Sequence, residues 1–244
     1  MNIIFITSMN QTYFDHCGEL MLQSFNNKMK NHRLVLYNED FSGKFGKNIT
    51  LQYWPMDRNY DNFQERHSNS KIKTFAKKGF SIIHALENID ADRIIWLDAD
   101  CHLKSAINQQ LLELISPDNV LSTHFGVKHA ANDKTYFSCE TGFFIVNTRH
   151  AMFKEFRKTY KNIYIKDDYK NLRRFYDGEV YGETVKLLEN KGAKMLDLNP
   201  ELIHKTPIPR SVLAPYITHY KAGAKDNIDF DKKLEELAQD GKKI

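Results

Sequence analysis

Residues 91–103 read ADRIIWLDADCHL, and this stretch decides the fold prediction. Its centre, RIIWL at residues 93–97, is a short run of β-branched and aromatic side chains, which predicts a strand buried on both faces. Asp98 and Asp100 follow this strand directly. In open α/β sheets, ligands bind outside the carboxyl ends of the strands, and residues two apart on an extended segment point to the same side. The sequence therefore predicts two adjacent carboxylates at a binding edge.

Strands and helices alternate on both sides of this stretch. We predict strands at residues 2–6, 33–37, 49–54, 93–97, 120–124, 143–147 and 194–198. Helices are predicted at residues 13–27, 71–88, 105–115, 149–160, 180–190 and 230–238, with Ser70 as the N-cap of the second. Residues 55–69 and 124–138 are polar and are predicted to be loops. This alternation predicts a single α/β domain, a mainly parallel sheet with helices on both faces.

The composition is that of an ordinary globular protein. The chain has 244 residues, of which 41% are hydrophobic and 27% charged, and its formal net charge is +4. These values exclude disorder and coiled coil as the main architecture, and no glycine-rich phosphate loop is present. The three cysteines are too widely spaced for a disulfide framework. No stretch resembles a signal peptide or reaches the ~20 apolar residues of a membrane span, so we expect a soluble, cytoplasmic protein.

The pair Asp98 and Asp100 predicts a cation site. Two carboxylates held this close repel each other unless a cation lies between them. A divalent ion that also binds phosphate oxygens would relieve the repulsion, and hard oxygen ligands suit Mg²⁺ or Mn²⁺. The alternative is a polar strand end whose aspartates form a turn or cap a helix. The strongly apolar strand before the pair favours the functional interpretation.

Three further segments accompany this one, in chain order. They are the basic helix KTFAKKGFSIIHALENI at residues 73–89, CETGFFIVN at 139–147 and HYKAGAK at 219–225. The set of four resembles the GT-A-type glycosyltransferases, and the last segment resembles their glycogenin-like, retaining branch. The resemblance implies a GT-A (Rossmann-like) fold over the whole chain, with a nucleotide-sugar half at 1–125, an acceptor half at 126–225 and a helical tail at 226–244. It also implies sugar transfer from a nucleotide-sugar, a UDP-sugar, to an acceptor hydroxyl.

The resemblance also implies a donor site that contains a metal ion. Asp98, Asp100 and His219 would be the ligands, and this set of carboxylates and imidazole suits Mn²⁺ or Mg²⁺. Lys225 would contact the donor diphosphate, and Gly223 would let the backbone approach it closely. The other implied donor contacts are Thr7, Ser8 and Tyr13 after the first strand, Asp98 itself, and one of Lys73, Lys77 and Lys78, which we take to be Lys77.

Two carboxylates are candidates for the catalytic group. Glu140 lies in the segment that faces the acceptor in the family, and Asp177, in RFYDGEVYG, resembles a late acidic position of the family. In inverting members such a carboxylate deprotonates the acceptor hydroxyl, whereas in retaining members the leaving phosphate takes that part. Glu179 is a weaker candidate, and the alternative for Asp177 is a structural role at a helix N-terminus.

Residues 154–174 carry eight basic and three acidic side chains, with aromatic residues interleaved. Such a segment suits a phosphate backbone and exposed bases, so one hypothesis is a polyanionic acceptor such as a modified DNA base or a lipopolysaccharide. The alternative is a solvated helix and loop. Three other functions remain open: a nucleotidyltransferase, whose glycine-rich signature is missing, a haloacid-type phosphatase, and a non-catalytic nucleic-acid-binding module.

Overall fold

A computed structural model describes residues 1–40, 42–43, 45–54, 58–131, 134–168, 172–201 and 206–220. Its strands are β1 (Ile3–Met9), β2 (Arg33–Asn38), β3 (Ile49–Tyr53), β4 (Arg93–Leu97), β5 (Cys101–Leu103), β6 (Ser122–Ala131), β7 (Lys134–Asn147), β8 (Met195–Asp197) and β9 (Ile217–His219). Seven of them form one sheet in the order β3-β2-β1-β4-β7-β6-β8. Strand β7 runs antiparallel to β4 and β6, and the other pairs are parallel, which confirms the prediction of a mainly parallel sheet.

Helices cover both faces of this sheet. They are α1 (Gln11–Tyr13), α2 (Glu19–Lys28), α3 (Arg58–Arg66), α4 (Ser70–Asn88), α5 (Gln109–Ile115), α6 (Phe153–Ile165) and α7 (Asp177–Glu189), and a π-helical turn, Phe14–Gly18, joins α1 to α2. Alternate residues of a strand point to opposite faces. Accordingly, Ile4 and Ile6 of β1 pack with α3, α4, α6 and α7, while Ile3 and Phe5 pack with α2 and α5. A sheet buried on both faces explains why its central strands are continuous apolar runs.

Two predicted loops are wrong. Residues 55–69 contain helix α3, which buries only Tyr60 and Phe63, so its sequence shows no apolar periodicity. Residues 124–138 form most of the hairpin β6–β7. One end of this hairpin, with His129 and Ser138, lines a cleft rather than a core, and its polar side chains hide the strand pattern.

Some helix boundaries also differ from the predictions. The N-cap of α4 is Asn69 rather than Ser70, because Asn69 Oδ1 accepts a hydrogen bond from the Lys71 backbone N–H at 2.9 Å. Helix α5 begins only at Gln109, after the N-cap Asn108, and α6 ends at Ile165 rather than at residue 160. The helix predicted at 230–238 lies outside the described residues. Within the described ranges, no helix is both long and apolar enough to cross a membrane.

A second, two-stranded sheet positions the candidate site. Strands β5 and β9 pair antiparallel with Cys101 opposite His219, and the Tyr220 N–H donates to the Asp100 carbonyl at 3.0 Å. This pairing brings His219 from the end of the described chain to the D-x-D segment. The D-x-D segment is a turn rather than extended chain, because the Cys101 N–H donates to the Asp98 carbonyl at 3.0 Å. Asp98 and Asp100 therefore have different partners.

Candidate active site

A cleft of about 430 Å³ opens at the carboxyl ends of β1 and β4, where the D-x-D prediction expects a ligand. Both predicted halves of the chain contribute to its wall. The residues that line it include Ser8, Tyr13, Glu39, Lys77, Lys78, Trp96, Asp98, Asp100, His129, Ser138, Glu140, Thr141, Arg173, Arg174, Tyr176, Asp177, Glu179 and His219.

Lys78 of α4 is at the centre of a buried ion-pair network. Its ammonium lies 2.6 Å from Asp98 Oδ1 and 2.8 Å from Asp177 Oδ2, and it donates to the Thr141 carbonyl at 2.8 Å. The ammonium also lies 4.9 Å from the centre of the Trp96 ring. Burial disfavours the charged lysine, but Asp177 and Asp98 outweigh it and raise the pKa of Lys78. Lys78 is therefore a permanent positive charge in the cleft.

The pKa values of the two carboxylates beside Lys78 are shifted in opposite directions. Burial raises the pKa of Asp98, and the charges of Asp100 and Asp177 add to this effect against the opposing charge of Lys78. For Asp177, burial is outweighed by Lys78 and by hydrogen bonds from the Thr141 hydroxyl and the Gly178 N–H, so its pKa is lowered. The Thr141 Oγ1 to Asp177 Oδ2 distance is 2.5 Å. Asp177 is thus the firmly ionised member of the pair.

Asp100 and His219 form a second buried group beside the network. His219 Nε2 lies 3.1 Å from Asp100 Oδ1, and His219 Nδ1 lies 3.8 Å from Glu140 Oε1. Burial disfavours the imidazolium, but the hydrogen bond and charge of Asp100 and the charge of Glu140 outweigh it and raise the pKa of His219. Gly142 lies against the ring, where an added Cβ would stand 2.6 Å from His219 Cε1.

This second group contains the donors for a metal ion. Among the described residues, Asp100, Cys101 and His219 have donor atoms within 4.8 Å of one another. Cys101 is the poorest of the three, because burial raises the pKa of its thiol and the thiol donates to the Gly142 carbonyl. Asp98 is not in this set, and its Oδ1 accepts hydrogen bonds from the Lys78 ammonium and the Trp96 indole N–H, each at 2.6 Å. A carboxylate and an imidazole fit Mn²⁺.

The structure brings most of the predicted site residues into one cleft. Asp98, Asp100, Glu140, Asp177 and His219 line it, as do Ser8, Tyr13 and Lys77. Thr7 is fully buried within β1 and does not line the cleft. Gly223 and Lys225 lie outside the described residues.

Lys77 and Lys78 have different surroundings. The Lys77 ammonium pairs with Glu39 at 2.5 Å, whereas Lys78 binds the D-x-D aspartate. The choice of Lys77 over Lys78 missed the more deeply buried lysine. Spacing contained the signal, since Lys78 is three residues after Phe75 and four before Ile82, two apolar residues of the same helix.

The outer wall of the cleft contains cations that the site prediction did not include. Arg173 pairs with Glu179 at 3.2 Å and lies over the Tyr136 ring at 4.9 Å. The exposed Arg174 lies 5.8 Å from the ring of Tyr176, which is itself partly exposed. Both arginines belong to the basic segment 154–174.

Three aromatic side chains of that basic segment are not available for base stacking. Phe156, Tyr160 and Tyr164 are buried in the core between α6 and its neighbours α4 and α7. The interpretation of interleaved aromatics as a nucleic-acid surface is wrong for these three residues, because their spacing of four residues marks the buried face of α6. Tyr169 lies outside the described residues.

Comparisons with known proteins find similarity in fold. No protein-family model and no curated protein sequence matches the chain. The "WbbM bifunctional" glycosyltransferase matches with a TM-score of 0.59 and 15% identity over 97% of this chain, which spans half of that chain. The galactosyltransferase LgtC, solved with donor and acceptor sugar analogs, matches with a TM-score of 0.55 and 13% identity over 97% of this chain and 95% of that chain.

A third similar structure is a glycosyltransferase involved in glycosylation of the major capsid of PBCV-1. It has a TM-score of 0.50 and 14% identity and covers 93% of this chain and 100% of that chain. At these identities the similarity concerns the fold. The chain therefore has the fold of the GT-A glycosyltransferases, as its sheet order and its two helical layers also indicate.

Proposed function

We propose that this protein is a metal-dependent glycosyltransferase that moves a sugar from a UDP-sugar to an acceptor hydroxyl. The observation that supports this most is the meeting of the D-x-D turn with His219 in one cleft, at the carboxyl ends of β1 and β4. The fold adds support, because LgtC shares it and was solved with donor and acceptor sugar analogs. Residues from both 1–125 and 126–225 line the cleft, which fits a donor half and an acceptor half.

Asp100 and His219 would hold the metal ion, with Asp98 as the predicted third ligand. The donor set supports Mn²⁺ at this position, with Mg²⁺ as the alternative. A bound divalent ion would neutralise the charge of the donor diphosphate and of the departing nucleotide. Lys225 is the proposed second cation for the diphosphate, and Gly223 would let the backbone approach it closely.

The residues near the end of β1 would bind the nucleotide. Tyr13 lines the cleft and is 45% exposed, and its ring would stack on a base. Ser8 lines the same wall and offers a hydroxyl to the ribose or the base. Lys77 stays a proposed donor contact, although its ammonium already pairs with Glu39 and would have to bind Glu39 and the ligand together.

Lys78 and Asp177 would act at the reacting sugar. Lys78 supplies a fixed positive charge that a departing phosphate can use. The ionised Asp177 is in the form that a general base requires, but its lowered pKa makes it a weak one. Asp177 therefore suits charge stabilisation and the orientation of Lys78 better than proton abstraction. This favours a retaining reaction, in which the leaving phosphate accepts the acceptor proton.

An anionic acceptor is the second part of the proposal. Arg173 and Arg174 stand on the cleft wall beside Asp177, and the exposed Arg174 pairs with no carboxylate among the described residues. A phosphate-bearing acceptor such as DNA or lipopolysaccharide would meet these two charges. Binding that weakens steeply with added salt, and weakens less steeply in Arg174→Gln, would support this part. Salt-independent acceptor binding would refute it.

Metal-dependent hydrolysis of a panel of nucleotide-sugars tests the main proposal without a known acceptor. We expect release of UDP from one UDP-sugar only when Mn²⁺ or Mg²⁺ is present, and a loss of about 100-fold or more in Asp98→Asn and Asp100→Asn. Asp61→Asn, on the exposed surface of α3, is the control and should retain the rate. Full activity in both D-x-D variants would refute the proposal. Pyrophosphate release from nucleoside triphosphates would indicate a nucleotidyltransferase instead.

A further inference from the structure

The imidazole of His219 lies between two buried carboxylates. Asp100 Oδ1 is 3.1 Å from its Nε2, and Glu140 Oε1 is 3.8 Å from its Nδ1. The side chains of His219 and Glu140 are 6% and 5% exposed, so neither has free access to water. Each ring nitrogen therefore has a different carboxylate as its neighbour.

Glu140 is held firmly in relation to this ring. It lies in β7, and its Oε1 accepts a hydrogen bond from the Gly142 N–H at 3.1 Å. Gly142 in turn lies against the ring, with room for no Cβ, and its carbonyl accepts from the Asp98 N–H at 2.9 Å. The strand that positions Glu140 thus also packs against the imidazole and is hydrogen-bonded to the D-x-D turn.

This arrangement decides which nitrogen of His219 can bind a metal. A histidine binds a metal through a nitrogen that has no proton, and the hydrogen bond made by the other nitrogen selects which one that is. Glu140 Oε1 is the carboxylate oxygen beside Nδ1, and movement of about 1 Å would bring an Nδ1–H to hydrogen-bond distance from it. Nε2 would then be left for an ion that it shares with Asp100.

We propose that Glu140 is a positioning residue for His219, which holds the ring with its Nδ1–H toward the carboxylate and its Nε2 toward the metal. Glu140 then acts through the histidine and does not touch the acceptor, in contrast to its predicted place near the reacting centre. This inference depends on the metal site in the proposed function. It goes beyond that function because it assigns a role to Glu140, which is not itself a ligand of the ion.

Titration with Mn²⁺ alone, followed by the electron paramagnetic resonance signal of the free ion, tests this role. We expect Glu140→Leu to bind Mn²⁺ about 10- to 100-fold more weakly than the wild type. Replacing the hydrogen-bond partner of a metal-binding histidine typically weakens metal binding by this much. Glu140→Gln should recover most of the affinity, because its amide oxygen can still accept from Nδ1–H and from Gly142. Glu87→Gln removes a carboxylate of α4 that pairs with Lys161 and does not line the cleft, and it should bind Mn²⁺ as the wild type does.

The thermal unfolding of the metal-free variants separates positioning from a general structural role. A structural role would lower the unfolding temperature in proportion to the loss of affinity, whereas positioning weakens Mn²⁺ binding in variants that remain folded. Unchanged affinity in Glu140→Leu, or equal losses in the Gln and Leu variants, would overturn the inference. If the wild type bound no Mn²⁺, the inference would fall with the metal assignment, and donor hydrolysis without metal would then show whether the transferase proposal survives.

Discussion

The Lys78 ammonium lies 2.6 Å from Asp98 Oδ1, so the first carboxylate of the D-x-D turn already has a cation partner within the chain. The same ammonium reaches Asp177 Oδ2 at 2.8 Å. One lysine of α4 therefore ties the turn after β4 to the first residue of α7. The charge balance of the cleft depends on this side chain more than on any exposed cation of its rim.

Replacing Lys78 with methionine should destabilise the protein and disable it. Methionine keeps the length of the side chain but leaves Asp98 and Asp177 buried without their cation. Breaking a buried pair in this way typically costs about 3–5 kcal/mol, and we expect the lower end because the Lys78 side chain remains 13% exposed. Donor hydrolysis should fall by about 100-fold or more. Urea unfolding and UDP release measure the two effects.

Lys77→Met is the matched control for this change. Lys77 is the preceding residue of the same helix, and its pair with Glu39 is more exposed, so its loss should cost about 1 kcal/mol or less. Added Mn²⁺ should restore part of the stability of Lys78→Met, because a divalent ion beside Asp98 replaces some of the missing charge. Equal unfolding midpoints for the two variants would contradict the central position of Lys78.

A second prediction concerns the contact between α4 and α6. A Cβ on Gly79 would stand 2.2 Å from the ring of Tyr164, so the glycine allows the two helices to approach closely. Gly79→Ala should therefore destabilise by about 1–3 kcal/mol through overpacking, although alanine favours helix formation. In the background of Tyr164→Leu, which removes the clashing ring, the alanine should cost much less. A double-mutant cycle in urea measures the coupling, and additive effects would contradict the contact.

The central part of the fold follows from sequence pattern. Strand β4 is a continuous apolar run because it is buried on both faces between β1 and β7. Helix α3 gives no such signal, since two buried rings, Tyr60 and Phe63, attach it to the core. The pattern of residues 124–138 in the β6–β7 hairpin predicts a loop for a different reason: the side chains of His129 and Ser138 face a cleft, where polar residues are expected.

The sequence predicts which residues form the site but not which of their side chains contact each other. The D-x-D motif and His219 were identified from the sequence, yet they meet through β5 and β9, strands of three residues that carry no periodicity. Asp98 and Asp100 have different partners because a turn lies between them. The sequence pattern predicts an extended strand end at this point and so does not predict these partners. These relationships depend on tertiary contacts and so required the structure.

The hydrogen bond from Thr141 to Asp177 supports a third prediction. The bond is 2.5 Å long and helps to lower the pKa of Asp177. It therefore stabilises the ionised carboxylate. Thr141→Val should raise the pKa of Asp177, and the acidic limb of the pH–rate profile for donor hydrolysis should move to higher pH. Thr141→Ser keeps the hydroxyl and should keep the wild-type profile. Superimposable profiles for valine and serine would argue that Asp177 does not need this bond.

The last prediction concerns stability and pH, and it depends on His124. This residue is the irregular position of β6, buried beside Asp197 of β8, and burial lowers its pKa to about 4 despite the opposing charge of Asp197. The unfolded chain has an ordinary histidine pKa of about 6.5, so between these values the unfolded state binds more protons than the folded state. The contribution of His124 to stability is complete above the unfolded pKa and is lost as the pH falls toward 4.

At pH 5.5 the wild type should therefore have lost about 1 kcal/mol of unfolding free energy through His124 compared with pH 7.5, from about 1.4 kcal/mol per pKa unit. The partly buried His32, whose pKa burial also lowers, adds to this slope, and the raised pKa of His219 opposes it. The decisive measurement is thus the difference between the wild type and His124→Gln, each unfolded in urea at both pH values. The variant lacks the titrating group, so its stability should fall by about 1 kcal/mol less over this interval. Parallel pH dependence in the two proteins would mean that His124 does not sustain its neutral form in the folded chain.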